Sequence, residues 1–377
     1  MLASVNIEGK PKETLVQVSA TLDLKLGGPT SVVTGLRESF TKNFELQLLV
    51  FGKVEIEYAE ALKISTLFGN RYGLVLIRPS KEVRISMQES SIVLIHGFYL
   101  ASTLYALHYA KTRNVFLMPH GSLEEYQEAR SPVRKYIFRK LFLLLSGDRR
   151  IHFMVGTESE TISIRRIFPK NPITVVGLGV DPKIQAASKI SGLKKDILSE
   201  PVILGCLSRI SEKKRIDLCI RTLALLNSPG TGYKLRIFGT GDESLERILR
   251  KLVIELKLED FVTFEGFVEN DSRIAALQDI DILLLPSENE NFAVAVAESI
   301  ASGKPVVVSK FVAMHNFVQS HHTGVVIPSL DVAQIALAVE EIVGNYQEYR
   351  QNCLKSAKFI SWDKVIENWL LVLNQVV

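Results

Sequence analysis

Six ionisable side chains fall where the sequence pattern ends its strands, and two of them form a spaced pair. Glu290 and Glu298 lie within 286–309 (PSENENFAVAVAESIASGKPVVVS), between apolar runs at 280–285 and 305–309 that read as successive buried strands. Between those runs, 292–301 reads as a helix of small apolar residues. A helix covers the interval between the two carboxylates in about 12 Å, roughly the span from the sugar to the ribose of a nucleotide sugar. Its N-terminus offers free N–H groups and a positive dipole end to a diphosphate. The same residues admit a plainer account. Ser287-Glu288-Asn289-Glu290 fits a capping box in which Glu290 closes the helix start, and Glu298 is then a half-exposed helix carboxylate. From this stretch alone both readings stand.

The other four sit at comparable places. His96 follows the apolar run 91–95 and His120 the run 115–118, each with glycine next in the chain, while Arg209 and Lys214 follow 202–207. Open α/β sheets bind ligands beyond the carboxyl ends of their strands. Two histidines at equivalent ends point to function. Arg209 and Lys214, five apart on a loop, are either anion ligands or members of weak surface salt bridges. A strand at 15–20, the turn Gly27-Gly28-Pro29 and a helix from Thr30 make the usual opening of a doubly wound sheet. Glycines there let a phosphate or sugar approach the backbone, but G-x-G-x-x-G is absent. Further turns with Gly239 and with Gly266-Phe267 follow strands at 234–238 and 262–264.

These elements need a scaffold. A chain of 377 residues, 47% hydrophobic and 23% charged, is an ordinary globular protein long enough for two domains. No run approaches 18 apolar residues, and the opening MLASVNIEGKPKET is no signal peptide, so a cytoplasmic protein without a membrane span is expected. Cys206, Cys219 and Cys353 show no ligand spacing, which suits a reducing compartment and argues against zinc. Residues 1–185 hold 24 Lys and Arg against 17 Asp and Glu, and the remainder holds 21 against 24, so the first half favours an anionic surface or ligand. Part of that excess lies in 131–145, an amphipathic helix where Arg134, Lys135, Arg139 and Lys140 alternate with apolar residues. It reads as a solvated face over a packed one, or as a peripheral contact with anionic lipid. Nucleic-acid motifs are missing. The expected domains are 1–182 and 201–360, joined by a polar linker at 183–200, with a C-terminal helix at 361–377.

Several motifs then agree in order. SRISEKKRIDLCI (208–220), GTGD (239–242), FEGFV (264–268), ENFAVAVAE (290–298) and SGKPVV (302–307) resemble, in sequence, the motifs of glycosyltransferase family 4. GGP (27–29), PHGSL (119–123), TESE (157–160) and GLGVD (177–181) are similar to loops of its first domain. The resemblance implies an α/β protein of the GT-B fold, two facing Rossmann-like domains with a C-terminal helix crossing back to the first. It implies a retaining, metal-independent hexosyltransferase of polysaccharide synthesis, using a UDP- or GDP-sugar and a saccharide or lipid-linked acceptor.

By the same resemblance Arg209 and Lys214 hold the donor diphosphate and Glu298 the ribose. Glu290 contacts the transferred sugar, and Phe292, Ala293 and Val294 supply backbone N–H groups. Gly28, Gly239 and Phe267 belong to the donor loops, His120 matches the histidine beside the sugar and joins Glu290, Arg209 and Lys214 as catalytic, and His96 and His120 lie on the acceptor side. No cofactor is implied, and no Asp-x-Asp metal motif occurs. Ala293 and Arg215 replace family glycines, Ser208 the glycine before the arginine, and Gly177 a proline, while HGFY (96–99) lacks a tryptophan found there. Altered substrate preference or reduced activity would both fit. The alternatives are a nucleotide-sugar epimerase of the same fold and a non-catalytic sugar-nucleotide-binding partner.

Overall fold

The structure is a computed structural model and describes residues 13–22, 28–51, 61–63, 81–128, 131–177, 179–191, 201–227, 232–291 and 293–376. The chain divides into two compact units. Unit 1 comprises Met1–Val155, Glu160–Val176 and Trp369–Val377, and unit 2 comprises Gly156–Ser159 and Gly177–Asn368.

Among the described residues unit 1 is built on seven parallel strands: β1 (Thr14–Ser19), β2 (Glu45–Val50), β3 (Ala61–Lys63), β4 (Ile92–His96), β5 (Val115–Met118), β6 (His152–Val155) and β7 (Ile173–Val175). Their order is β3-β2-β1-β4-β5-β6-β7. β4 and β5 are buried along their whole length, as near-continuous apolar runs must be when helices cover both faces of a parallel sheet. Val16, Val18, Val93, Ile95, Val115 and Leu117 join one core with Phe98, Phe142 and Phe153. On Phe116 of β5 and Phe40 packs Trp369, at ring-centroid distances of 6.2 and 5.6 Å. Residues 73–78, whose apolar pattern reads as a further strand, lie outside the described ones.

Unit 2 carries β8 (Val202–Leu207), β9 (Tyr233–Phe238), β10 (Val262–Gly266), β11 (Ile282–Leu285), β12 (Val306–Ser309) and β13 (Gly324–Ile327), again parallel, in the order β10-β9-β8-β11-β12-β13. Its core joins these strands to helices Ile216–Leu226, Glu243–Glu255 and Val332–Gly344. Each sheet reverses its strand order once, between β1 and β4 in unit 1 and between β8 and β11 in unit 2.

Three sequence expectations are corrected. Residues 183–191 are not linker: Pro182–Ser191 is a helix, with Pro182 at its first position, where the missing N–H costs nothing. Ile184 buries into unit 2, and Gln185 donates to the carbonyl of Ala357 at 3.1 Å. The helix expected from 292 begins at Val294, because Ala293 turns the chain through a left-handed conformation (φ 44°, ψ 50°). And the helix at 131–145, Pro132–Ser146, does not gather its four basic residues on one solvated face: Arg134 and Lys140 are exposed, but the other two are not. Lys135 and Arg139 fold inward onto Glu128, at 4.0 and 2.7 Å, while Val133, Tyr136, Ile137, Leu141, Leu143 and Leu144 are exposed.

Candidate functional site

β8 and β11 are neighbours where the strand order of unit 2 reverses, the position at which open parallel sheets form a ligand crevice. Beyond β8 the chain runs through Arg209 into the short turn Glu212–Lys214, and beyond β11 through Glu290 to Ala293. Lys214 Nζ donates to Glu290 Oε2, and the two side chains are only 10% and 17% exposed. The Glu290 backbone is clasped by the segment after β12. Its N–H donates to the Phe311 carbonyl at 3.2 Å, and its carbonyl accepts from Ala313 N–H at 2.8 Å. Glu290 therefore does not close the helix: the cap is Ala293, with no side-chain bond, and the capping-box reading fails. Burial pushes the Lys214 ammonium below its ordinary pKa, and the Glu290 carboxylate opposes that shift.

Arg209 is exposed and has no ion-pair partner among the described residues. Its loop is shaped from beneath by the turn after β9. A Cβ on Gly239 (φ 132°) would lie 1.9 Å from the Ser208 carbonyl oxygen, and one on Gly241 would lie 2.1 Å from that of Ile210. Gly239 thus acts through close backbone approach, which holds the Arg209 loop. Arg215 takes φ 51°, a strained angle for a residue with a side chain, and its guanidinium bonds both Asp217 oxygens at 3.0 Å and Glu288 at 3.2 Å. Of the three positions where the resemblance expects glycine, 215 and 293 are left-handed and 208 is not, so a side chain costs strain at the first two.

Val294 opens the helix Val294–Ala301. Val296 and Ala297 N–H bond the Ala293 carbonyl, while the amides of Val294 and Ala295 take no backbone hydrogen bond among the described residues. Phe292 lies outside the described residues. Phe267, on the turn after β10, is exposed. Glu298 is not the half-exposed carboxylate of the plainer account. It is buried, and Arg273 Nε and Nη2 donate to its Oε2 at 2.7 and 2.5 Å. Arg273 was invisible to sequence reasoning, because nothing in a helix 25 positions upstream marks an arginine as a partner.

In unit 1, His96 ends β4 and His120 follows β5, and the two rings lie nearly parallel with His96 Nδ1 3.0 Å from His120 Nε2. The left-handed turn at His120 (φ 53°) and Gly121 (φ 75°) is fixed by Glu160, whose buried carboxylate accepts from Gly121 N–H at 2.7 Å. That role for Glu160 was legible only as part of the TESE motif. Burial lowers both imidazole pKa values, that of His120 to about 4, with the neighbouring ring adding to the effect at His96. At neutral pH the pair is uncharged and shares one hydrogen bond. Gly28 opens the helix Gly28–Phe40 that follows β1, the strand beside β4.

Residues 193–359 match the family model described as glycosyl transferases group 1. The amylovoran biosynthesis glycosyltransferase AmsK of Erwinia amylovora is 29% identical over 174 residues, covering 45% of this chain and 41% of that protein. A GDP-mannose-dependent alpha-(1-6)-phosphatidylinositol dimannoside mannosyltransferase of Mycobacterium tuberculosis (strain ATCC 25177 / H37Ra) is 30% identical over 215 residues, 55% of this chain and 54% of that one. The chain thus spans about half the length of such curated relatives. Among solved structures, sucrose-phosphate synthase from Thermosynechococcus elongatus superposes with a TM-score of 0.75 at 16% identity, over 97% of this chain and 99% of that one. Anabaena Alr3699/HepE in complex with UDP and glucose does so with a TM-score of 0.73 at 14% identity, over 96% and 100%. These likenesses establish the fold.

Two predictions follow from this geometry. An unfolded chain protonates its histidines near pH 6.5, whereas buried His120 resists until about pH 4. Its contribution is therefore intact above pH 6.5 and is lost as pH falls toward 4, by about 2 kcal/mol at pH 5. Urea melts at pH 7.5 and 5.0 should show this loss, and His120→Asn should reduce it. At the left-handed cap, Ala293→Gly should stay within about 1 kcal/mol of wild type, while the branched Ala293→Val should cost about 2 kcal/mol or more, measured by the same melts.

Proposed function

We propose that this chain, whose residues 193–359 belong to the glycosyl transferases group 1 and whose fold is GT-B, is a retaining glycosyltransferase that moves a sugar from a UDP- or GDP-sugar to a saccharide or lipid-linked saccharide in polysaccharide synthesis. The observation that carries it is the buried Lys214–Glu290 pair beside unpartnered Arg209 at the reversal point of the sheet. Breaking a glycosyl–phosphate bond loads negative charge onto the departing diphosphate. Arg209, Lys214 and the Val294 and Ala295 amides would take up that charge without a metal ion. Lys214 would turn from Glu290 to the diphosphate, and the freed Glu290 carboxylate would accept from hydroxyls of the sugar. Glu298 would accept from the ribose. In the transfer step the acceptor oxygen bonds the anomeric carbon on the face the phosphate leaves, and its proton passes to a phosphate oxygen. His96 and His120, neutral and able to donate or accept, are assigned to the acceptor side.

For the partner surface, we infer an anionic membrane at the helix Pro132–Ser146. Val133 and Leu144 are 70% and 74% exposed, and Tyr136, Ile137 and Leu143 lie with them, beside Arg134 and Lys140. Clustered apolar exposure of this kind on one helix calls for a cover, and the flanking cations favour acidic lipid. No helix of the described residues is long and apolar enough to cross a membrane, so the contact would be peripheral, on the cytoplasmic face.

Incubation with UDP- and GDP-sugars and a lipid-linked saccharide should release the nucleoside diphosphate, and Glu290→Ala or Lys214→Ala should lower the rate about 100-fold or more. Unchanged turnover in both variants would refute the assignment. Conversion of the donor with no acceptor present would favour an epimerase, and tight nucleotide binding without turnover a non-catalytic partner. Separately, the protein should sediment with phosphatidylglycerol vesicles, and Val133→Ser with Leu144→Ser should abolish this. A concentration-dependent dimer in light scattering, lost in the same double variant without vesicle binding in wild type, would assign the face to a second copy instead.

A further inference from the structure

We infer that Arg273 is a positioning residue for nucleotide recognition, holding Glu298 so that one carboxylate oxygen is presented to the ribose diol; this rests on the assignment of Glu298 to the ribose. Two guanidinium donors, Nε and Nη2, converge on Glu298 Oε2 at 2.7 and 2.5 Å. The other oxygen, Oε1, takes no hydrogen bond among the described residues, yet it is not one of the enclosed, unsatisfied side-chain atoms. One oxygen is therefore fixed and the other is open. A planar fork that bonds through two nitrogens stops the carboxylate from rotating, which a lysine ammonium, a single point of charge, does only weakly. The guanidinium also offsets the cost of burying the carboxylate, and Oε1 is left as an acceptor for hydroxyl donors.

The helix bearing Arg273, Asn270–Asp279, is held at both ends. At its start Glu269 and Ser272 form a reciprocal capping box, one residue before Arg273. Past its end Lys304 Nζ donates to the carbonyls of Gln278 and Ile280 at 3.0 and 2.5 Å. Arg273 thus approaches Glu298 from a fixed platform, as a residue that orients another group must. Both donors share Oε2, which leaves Oε1 for a ligand.

The test is calorimetric titration of UDP and GDP, and of their 2′,3′-dideoxy counterparts, into wild type and variants. Hydrogen bonds from a diol to a carboxylate should give the wild type about 10- to 100-fold preference for the ribonucleotide. Arg273→Ala should cut that preference to about 3-fold or less with little change in the dideoxy affinity, and Arg273→Lys should restore part of it. A purely structural role would weaken ribo and dideoxy ligands together and leave their ratio intact, and that result overturns the inference. Glu298→Gln separates the two levels. If it loses the preference while Arg273→Ala and Arg273→Lys both keep it, the positioning role alone falls. If Glu298→Gln itself keeps the wild-type ratio, or the wild type has none, the ribose assignment falls and the inference with it.

Discussion

The ion pair between Lys214 and Glu290 is the contact on which unit 2 converges. Both side chains are largely withdrawn from water, so each depends on the other and on the loops that hold them. Lys214 depends on the loop after β8, whose Ser208 and Ile210 carbonyls lie so close to Gly239 and Gly241 that a side chain on either would clash. Glu290 depends on the backbone clasp from 311–313 after β12. Four of the six strands of this sheet thus contribute to one contact. A pair built this way is preorganised but self-neutralised, its cation and its acid satisfying each other. Arg209, by contrast, is exposed and has no ion-pair partner among the described residues.

Unit 1 uses a different device at its own reversal point. Two imidazoles are buried side by side, and burial keeps them neutral where a solvated histidine would begin to charge. The left-handed turn that delivers His120 is held by a carboxylate, Glu160, that has no access to solvent. Backbone strain recurs at the residues flanking both sites: His120, Arg215 and Ala293 all have positive φ and all carry side chains. Local propensity is overruled at these positions because neighbouring hydrogen bonds and packing over-determine them, which is the usual condition for strain to persist. Arg215 carries its own compensation in the fork onto Asp217.

The helix Pro132–Ser146 shows how composition misleads about direction. Its basic residues and its apolar residues alternate, and either set could face water. Phe138 and Phe142 pack inward on Phe98, as any amphipathic helix requires, but Lys135 and Arg139 turn inward as well, drawn by Glu128. The outward face is left mostly to apolar side chains, with Arg134 and Lys140 among them. A single acidic residue eleven positions before Arg139, on the preceding short helix Glu125–Glu128, decides this.

Much of the architecture was legible in the chain alone. Short apolar runs ending in Gly, His, Ser or Pro predicted β4, β5, β8, β11 and β12, because a strand buried on both faces admits little but apolar residues. The candidate site residues were legible for the same reason: a charged side chain directly after such a run has nowhere to lie except at the strand's end. Which of those ends are neighbours was decided by the tertiary structure. Strand order is set by the packing of crossover helices, so Lys214 and Glu290, 76 positions apart, meet only because β8 and β11 pair. The same holds for His96 with His120, and for Arg273 with Glu298. The helix start at Val294 was also decided there, since the left-handed turn at Ala293 is imposed against the preference of the residue itself. Sequence determined the kinds of group at each strand end; long-range packing determined their partners, and with them the charges and free lone pairs that chemistry would use.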